Sequence, residues 1–256
     1  MSSSIVSWSK MTKKYVYVCG IRFFIGDYKN IVSIIKTHPF EKTIFAPLAT
    51  HPVMEAYFNN ALKDVYKGIQ YLLPDGYIVW AIHFLFGINI QQRIYGPDLL
   101  LNVSRMCEKV RKPIFLCGNN CSLVENKLKK LFPNLIIGGV FEMRGIQYGD
   151  SISKKISILI KKTNSACVCV GIGSPNQHIL ASSLTIKLPI ICVGAGFDLI
   201  AGIENQAPIW IREGGLEWLY RLLQNPRRLW KRYIILAPLF VLLIFRDRFM
   251  KQIHIS

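Results

Sequence analysis

The residues able to do chemistry in this chain are a carboxylate, a guanidinium and two glycine turns. Asp75 follows the apolar run Ile69–Leu73 and precedes Gly76, within Leu73-Pro74-Asp75-Gly76. A carboxylate leaving a buried strand between apolar neighbours is partly desolvated, which raises its pKa and suits it to accept a proton. A plain Asp-Gly turn is the alternative. Arg93, ahead of Gly96-Pro97-Asp98, offers a fork that can grip a diphosphate through two parallel hydrogen bonds. Asp98 reads as the cap of the next helix. The stretch Cys167–His178 runs from strand-like residues through Gly171-x-Gly173 to Pro175. Glycines there let a ligand approach the main chain, and the helix start behind them attracts anions. A tight turn with no ligand is the plainer reading. Gln177 suits recognition of a sugar or phosphate, and His178 beside it could titrate near neutral pH. In the second turn, Gly194-Ala195-Gly196-Phe197-Asp198, the acid either caps a helix or holds a sugar hydroxyl. His38, His51, His83 and His254 have no metal-ligand spacing, and no Asp-x-Asp pair is present. No metal and no cofactor are therefore expected, and basic side chains are left to neutralise a leaving diphosphate.

The elements that must position these groups follow from periodicity. Strands are predicted at Tyr15–Cys19, Arg22–Ile25, Thr43–Ala46, Ile69–Leu73, Pro113–Cys117, Leu135–Val140, Cys167–Val170 and Ile190–Val193. Helices are predicted at Tyr28–Thr37, Val53–Leu62, Tyr77–Leu85, Leu99–Val110, Ser122–Leu131, Ser151–Lys162 and from the opening turn to about Ser183. This alternation argues for an α/β fold with a mostly parallel sheet and helices on both faces. Ligands in such sheets bind beyond the carboxyl ends of the strands. Asp75, Gly118, Gly171 and Gly194 fall at those ends and are expected to face a common crevice.

Composition narrows the partners. The 256 residues carry 32 Lys+Arg against 15 Asp+Glu, a formal charge of +17, which favours an anionic partner. Aromatics do not interleave with the basic residues in any nucleic-acid module, so nucleic acid is set aside. Seven cysteines, mostly inside strand-like runs, fit reduced core positions rather than a disulfide framework. No signal peptide is expected at Met1-Ser2-Ser3-Ser4.

From Gly202 the character changes, giving expected units at 1–203 and 204–256. Leu216–Leu223 is amphipathic. Asn225–Tyr233 is dense in cations and aromatics, and the uncharged run Tyr233–Phe245 is 13 residues long and contains Pro238. A span needs roughly 20 residues. The tail therefore reads as lying on, or dipping into, one leaflet of an anionic membrane. A core helix with a solvated basic face is the alternative.

These residues also carry a resemblance. Leu73-Pro74-Asp75-Gly76, Arg93-x-x-Gly96-x-Asp98-Leu99, Gly171-x-Gly173-x-Pro175-x-Gln177 and Gly194-Ala195-Gly196-Phe197-Asp198-x-x-Ala201-Gly202 stand in order. They are followed by Ala207-Pro208-x-Trp210 and by Gly215-Leu216-Glu217-Trp218-x-x-Arg221-x-x-x-x-Pro226-x-Arg228. From about Ile44 to Tyr233 the chain resembles the WecG/TagA/CpsF family of bacterial glycosyltransferases. The resemblance implies a Rossmann-like fold and an inverting, metal-independent transfer from a UDP-sugar, typically of N-acetylmannosamine or a related sugar. The implied acceptor is an undecaprenyl-diphosphate-linked sugar at the cytoplasmic face of the membrane. The implied products are teichoic-acid linkage units, enterobacterial common antigen or exopolysaccharide. It makes Asp75 the catalytic base and ties Arg93 and Gln177 to the diphosphate and the pocket. Gly171, Gly173, Gly194, Phe197 and Asp198, in the two glycine turns, are expected to bind substrate. A C-terminal appendage would close the site on the membrane and supply Arg221 and Arg228, and self-association off the membrane is allowed. Two departures stand out. The family usually has Gln-Glu where this chain has Gln177-His178, and it carries a Thr and an Asn after the second strand, where this chain reads Phe45-Ala46-Pro47-Leu48-Ala49-Thr50-His51. A relative that binds nucleotide-sugar or lipid diphosphate without turnover is the alternative.

Overall fold

The computed structural model describes residues 15–253, apart from 91, 147, 206, 209 and 212–215 and the side chains of 228 and 250–253. A hairpin of β1 (Tyr15–Val18) and β2 (Ile21–Phe24) comes first. Helix α1 (Tyr28–Thr37) follows, started by a capping box between Asp27 and Asn30 that satisfies two otherwise orphaned N–H groups. Next come β3 (Ile44–Leu48), α2 (Thr50–Phe58), α3 (Asn60–Lys67), β4 (Tyr71–Pro74), α4 (Tyr77–Phe86) and α5 (Gly96–Lys109). The chain continues with β5 (Ile114–Gly118), α6 (Cys121–Leu131), β6 (Ile137–Glu142), α7 (Asp150–Lys161) and β7 (Cys167–Gly171). Then come α8 (Asn176–Ser183), β8 (Ile190–Cys192) and α9 (Gly196–Ala201).

Strands β3 to β8 form one parallel sheet in the order β4-β3-β8-β7-β5-β6. Successive strand residues point to opposite faces, and both faces are buried. Phe115, Cys117, Val168, Val170, Ile190 and Cys192 enter one apolar layer with residues of α2, α3, α4, α7 and α8. Ile114, Leu116, Cys167, Cys169 and Ile191 enter the other with residues of α1, α5, α6 and α9. Six cysteines are thereby absorbed into the sheet or its flanking helices as free, buried thiols: Cys107, Cys117, Cys121, Cys167, Cys169 and Cys192.

The helix expected at Val53–Leu62 is two helices. Asn59 leaves helical geometry and its side chain accepts from the Leu62 N–H. Asn competes with the backbone in this way, which makes it a better cap than an interior residue. Asp98 is not a cap: the N-cap of α5 is Tyr95, and Asp98 lies in the first turn, where a negative charge still suits the helix dipole.

The C-terminal segment is helical almost throughout: α10 (Glu217–Gln224), α11 (Pro226–Trp230), a π-helical turn over Lys231–Leu236, and α12 (Ala237–Ile253). Pro238 sits in the first turn of α12 rather than breaking it, since the ring's missing N–H would have no partner inside α12 there. Helix α12 packs against α2 and α4, and Phe240 and Ile244 are fully buried. Leu242 and Phe249 on the same helix are 66% and 60% exposed. Among the described residues no helix is long and apolar enough to cross a membrane.

Candidate active site

The carboxyl ends of β3, β4, β7 and β8 open into a single cleft of about 780 Å³, roofed by α10 and the π-helical turn. That volume suits a ligand of nucleotide-sugar size. Order -β4-β3-β8-β7- joins strands from distant parts of the chain, so loops that are remote in sequence converge there.

Asp75 follows β4 directly. Its backbone N–H donates to the Leu48 carbonyl at 3.3 Å, extending the parallel ladder by one step and fixing the carboxylate beside the end of β3. Gly76, at φ +58°, turns the chain where a side chain would be strained, and its N–H donates to Asp75 Oδ1 at 2.9 Å. The Asp75 side chain is only 20% exposed. Burial pushes its pKa above the ordinary carboxylate value; Arg93 opposes this, Glu217 adds to it, and Arg221 and the Gly76 N–H oppose it.

Arg93 lies between α4 and α5. Its Nη1 is 3.8 Å from Asp75 Oδ1, while Nη2 donates to Glu217 Oε2 on α10. Arg221, one turn further along α10, reaches the other Glu217 oxygen at 2.9 Å and donates to the Tyr95 hydroxyl at 2.6 Å. The Tyr95 N–H in turn donates to the Tyr28 hydroxyl at 2.9 Å, which ties the Arg93 loop to α1. Burial raises the Tyr95 phenol to about 12, against the Arg221 charge, so it is a neutral donor and acceptor at neutral pH.

The turn after β7 divides its tasks. Gly173 has φ +82° and open space where a Cβ would stand, so its main chain faces the cleft. Gln177 is buried, and its Oε1 accepts from the Gly194 N–H at 2.7 Å. The amide thus braces the two glycine turns against each other. A Cβ on Gly171 would stand 2.3 Å from the Phe197 ring, and Phe197 is fully buried. Gly171 and Phe197 therefore pack upon each other beneath the cleft. Asp198 lines the cleft and accepts from Asn120 Nδ2 at 3.0 Å. The structure thus brings Asp75, Arg93, Gly173, Gln177, Gly194, Asp198 and Arg221 to one cleft. The side chain of Arg228, in α11, lies outside the described residues.

His178 is not at the surface. It is fully buried, with Nδ1 3.2 Å from the Tyr66 hydroxyl and Nε2 3.2 Å from Gln177 Nε2. Burial holds its pKa down at about 3, so it is a neutral hydrogen-bonding member of the layer behind Gln177. Pro47, Ala49, Thr50 and His51, the segment that departs from the family pattern, line the cleft beside Asp75. Sequence reasoning missed Glu217, Tyr95 and His51 as site residues. For Glu217 the signal was its i,i+4 spacing from Arg221; for Tyr95 and His51 none was available before the tertiary fold.

A relative from Bacillus subtilis (strain 168), named N-acetylglucosaminyldiphosphoundecaprenol N-acetyl-beta-D-mannosaminyltransferase, is 29% identical over 242 residues, covering 89% of this chain and 90% of its own. A relative of the same name from Bacillus spizizenii (strain ATCC 23059 / NRRL B-14472 / W23) is 28% identical over 209 residues, 78% of each chain. The family model of the glycosyl transferase WecG/TagA/CpsF family matches residues 16–254, and the chain belongs to that family: it is a glycosyltransferase.

Proposed function

We propose that this chain transfers a sugar, N-acetylmannosamine or a close relative, from a UDP-sugar to a sugar carried on a polyprenyl diphosphate, with inversion and without a metal ion. The observation that carries this reading is Asp75: a partly desolvated carboxylate at the sheet's carboxyl edge, 3.8 Å from a guanidinium, in a cleft that also holds two glycine turns and Arg221. The relatives' printed names supply the acceptor class and the sugar.

The step is a single displacement. An acceptor hydroxyl oxygen forms a bond to the anomeric carbon as the bond from that carbon to the UDP oxygen breaks. The hydroxyl proton passes to the Asp75 carboxylate, and the electron pair of the broken bond leaves with UDP. Arg93 and Arg221 stand where charge grows on the diphosphate, and the open main chain at Gly173 adds N–H donors. Gln177 holds the two turns in register and so acts on substrate through them. In this reading residues 1–203 carry the base and the glycine turns, and 204–256 roof the cleft and add Arg221 to it. The exposed apolar side chains of α12, with Lys231 and Arg246 exposed beside them, bring the roof to an anionic leaflet.

A donor screen with a short-chain polyprenyl-diphosphate sugar tests the reading. Release of UDP coupled to glycosylated lipid is expected with one UDP-N-acetylhexosamine. Binding of UDP-sugars with no product from any donor would replace the reading with that of a non-catalytic binder.

A further inference from the structure

Two acids, Asp75 and Glu217, compete for one guanidinium, and the competition is unequal. Arg93 gives its hydrogen bond to Glu217 and stays 3.8 Å from Asp75, beyond hydrogen-bond reach. Glu217 is held in turn by Arg221 at 2.9 Å, and Arg221 is fixed by the Tyr95 hydroxyl. The glutamate side chain is only 12% exposed, so its grip on Arg93 is little screened by water. We propose that Glu217 is a positioning residue for the transfer: by taking the Arg93 fork it keeps that arginine off Asp75, so the roof helix leaves the Asp75 carboxylate free to receive the acceptor's proton.

This rests on Asp75 being the base, as proposed above. Without Glu217, Asp75 is the acid left beside Arg93 among the described residues, and Arg93 closes on it. A carboxylate hydrogen-bonded to arginine is the weaker base, since an opposite charge at that distance lowers a carboxylate pKa by about one to three units. The remaining groups facing Asp75 would not prevent this. Among the described residues they are Arg221 on α10, Tyr95 ahead of α5, Tyr28 on α1 and Tyr233 in the π-helical turn; none of these is a carboxylate that could take Glu217's place. The sequence motif carries the same pairing, Glu217 and Arg221 one helical turn apart, which lets a single face of α10 present a carboxylate and a guanidinium to the cleft.

The test is the pH profile of kcat/KM for Glu217→Gln in the full chain, with wild type and Asp75→Asn alongside. The acidic limb is expected to move to lower pH by about one unit or more, with a plateau lowered several-fold. A residue that merely held the roof together would lower the plateau and leave the limb in place. The Glu217 charge by itself also raises the Asp75 pKa, so the shift is compared with that of Glu217→Gln in an Arg93→Gln background, where no guanidinium from Arg93 is left to close on Asp75. An unmoved limb in a folded Glu217→Gln protein, or a limb that moves equally with and without Arg93, overturns the proposal. Glu217→Asp, which withdraws the carboxylate by one methylene, serves should Glu217→Gln fail to fold. It is expected to move the limb the same way by less, and an unmoved limb there counts equally against the proposal. Retained transfer by Asp75→Asn would instead remove the base itself.

Discussion

His178 shows how one residue's meaning depends on where its ring is buried. Beside Gln177 in sequence it invites a role in proton transfer, yet full burial favours the neutral ring and gives it Tyr66 as partner. The consequence is thermodynamic. Its folded pKa is about 3 against an ordinary 6.5, so on acidification the unfolded chain binds a proton that the folded chain refuses. Stability therefore falls as pH drops from about 6.5 towards 3, by up to about 1.4 kcal/mol per pH unit for this group. His178→Gln, which keeps a hydrogen-bonding side chain, is expected to give a shallower fall of the urea midpoint between pH 6.5 and 4. An identical fall in both proteins would contradict the buried neutral ring. Gln177 and Asp75 were legible as chemistry from type and place. That Gln177 bonds to the protein's own Gly194 could be learned only once two turns 17 positions apart were brought together.

At the scale of the element, the C-terminal helix has two faces with different fates. Phe240 and Ile244 belong to the core, while Leu242 and Phe249 do not. Composition alone showed an apolar run too short to span a bilayer and could not separate the buried stripe from the exposed one. Period and partner decide that, and the partners are α2 and α4. The proposed membrane contact therefore rests on the outer stripe together with exposed cations such as Arg246. Paired replacement of Leu242 and Phe249 by Asp is expected to spare the fold, since both are exposed. It is expected to reduce flotation with phosphatidylglycerol vesicles at least several-fold, because apolar area drives interfacial binding and acidic groups are repelled by an anionic surface. Flotation equal to wild type would reject the surface. The helix starts were less readable: Asn59 splits one expected helix into two, since a polar residue inside an amphipathic pattern can face solvent or cap, and the pattern does not distinguish these.

For the whole molecule, strand residues written as unbroken apolar runs predicted a sheet buried on both faces, and alternating helices predicted parallel strands. The strand order was not readable, because pairing between β3 and β8 joins segments nearly 150 positions apart. That order puts Asp75, the two glycine turns and the roof helix around a single cleft. The basic excess, spread along the sequence as a bare count, resolves at the cleft into particular guanidinium groups held by one glutamate. The account's central claim is that the Asp75 carboxylate takes the proton of the acceptor hydroxyl. Its most direct test is the single-turnover rate of sugar transfer to a polyprenyl-diphosphate acceptor by Asp75→Asn, measured with donor binding and thermal melting on the same preparation. A folded protein that binds the UDP-sugar as wild type does and transfers about two or more orders of magnitude more slowly is the predicted result; transfer at the wild-type rate would contradict it.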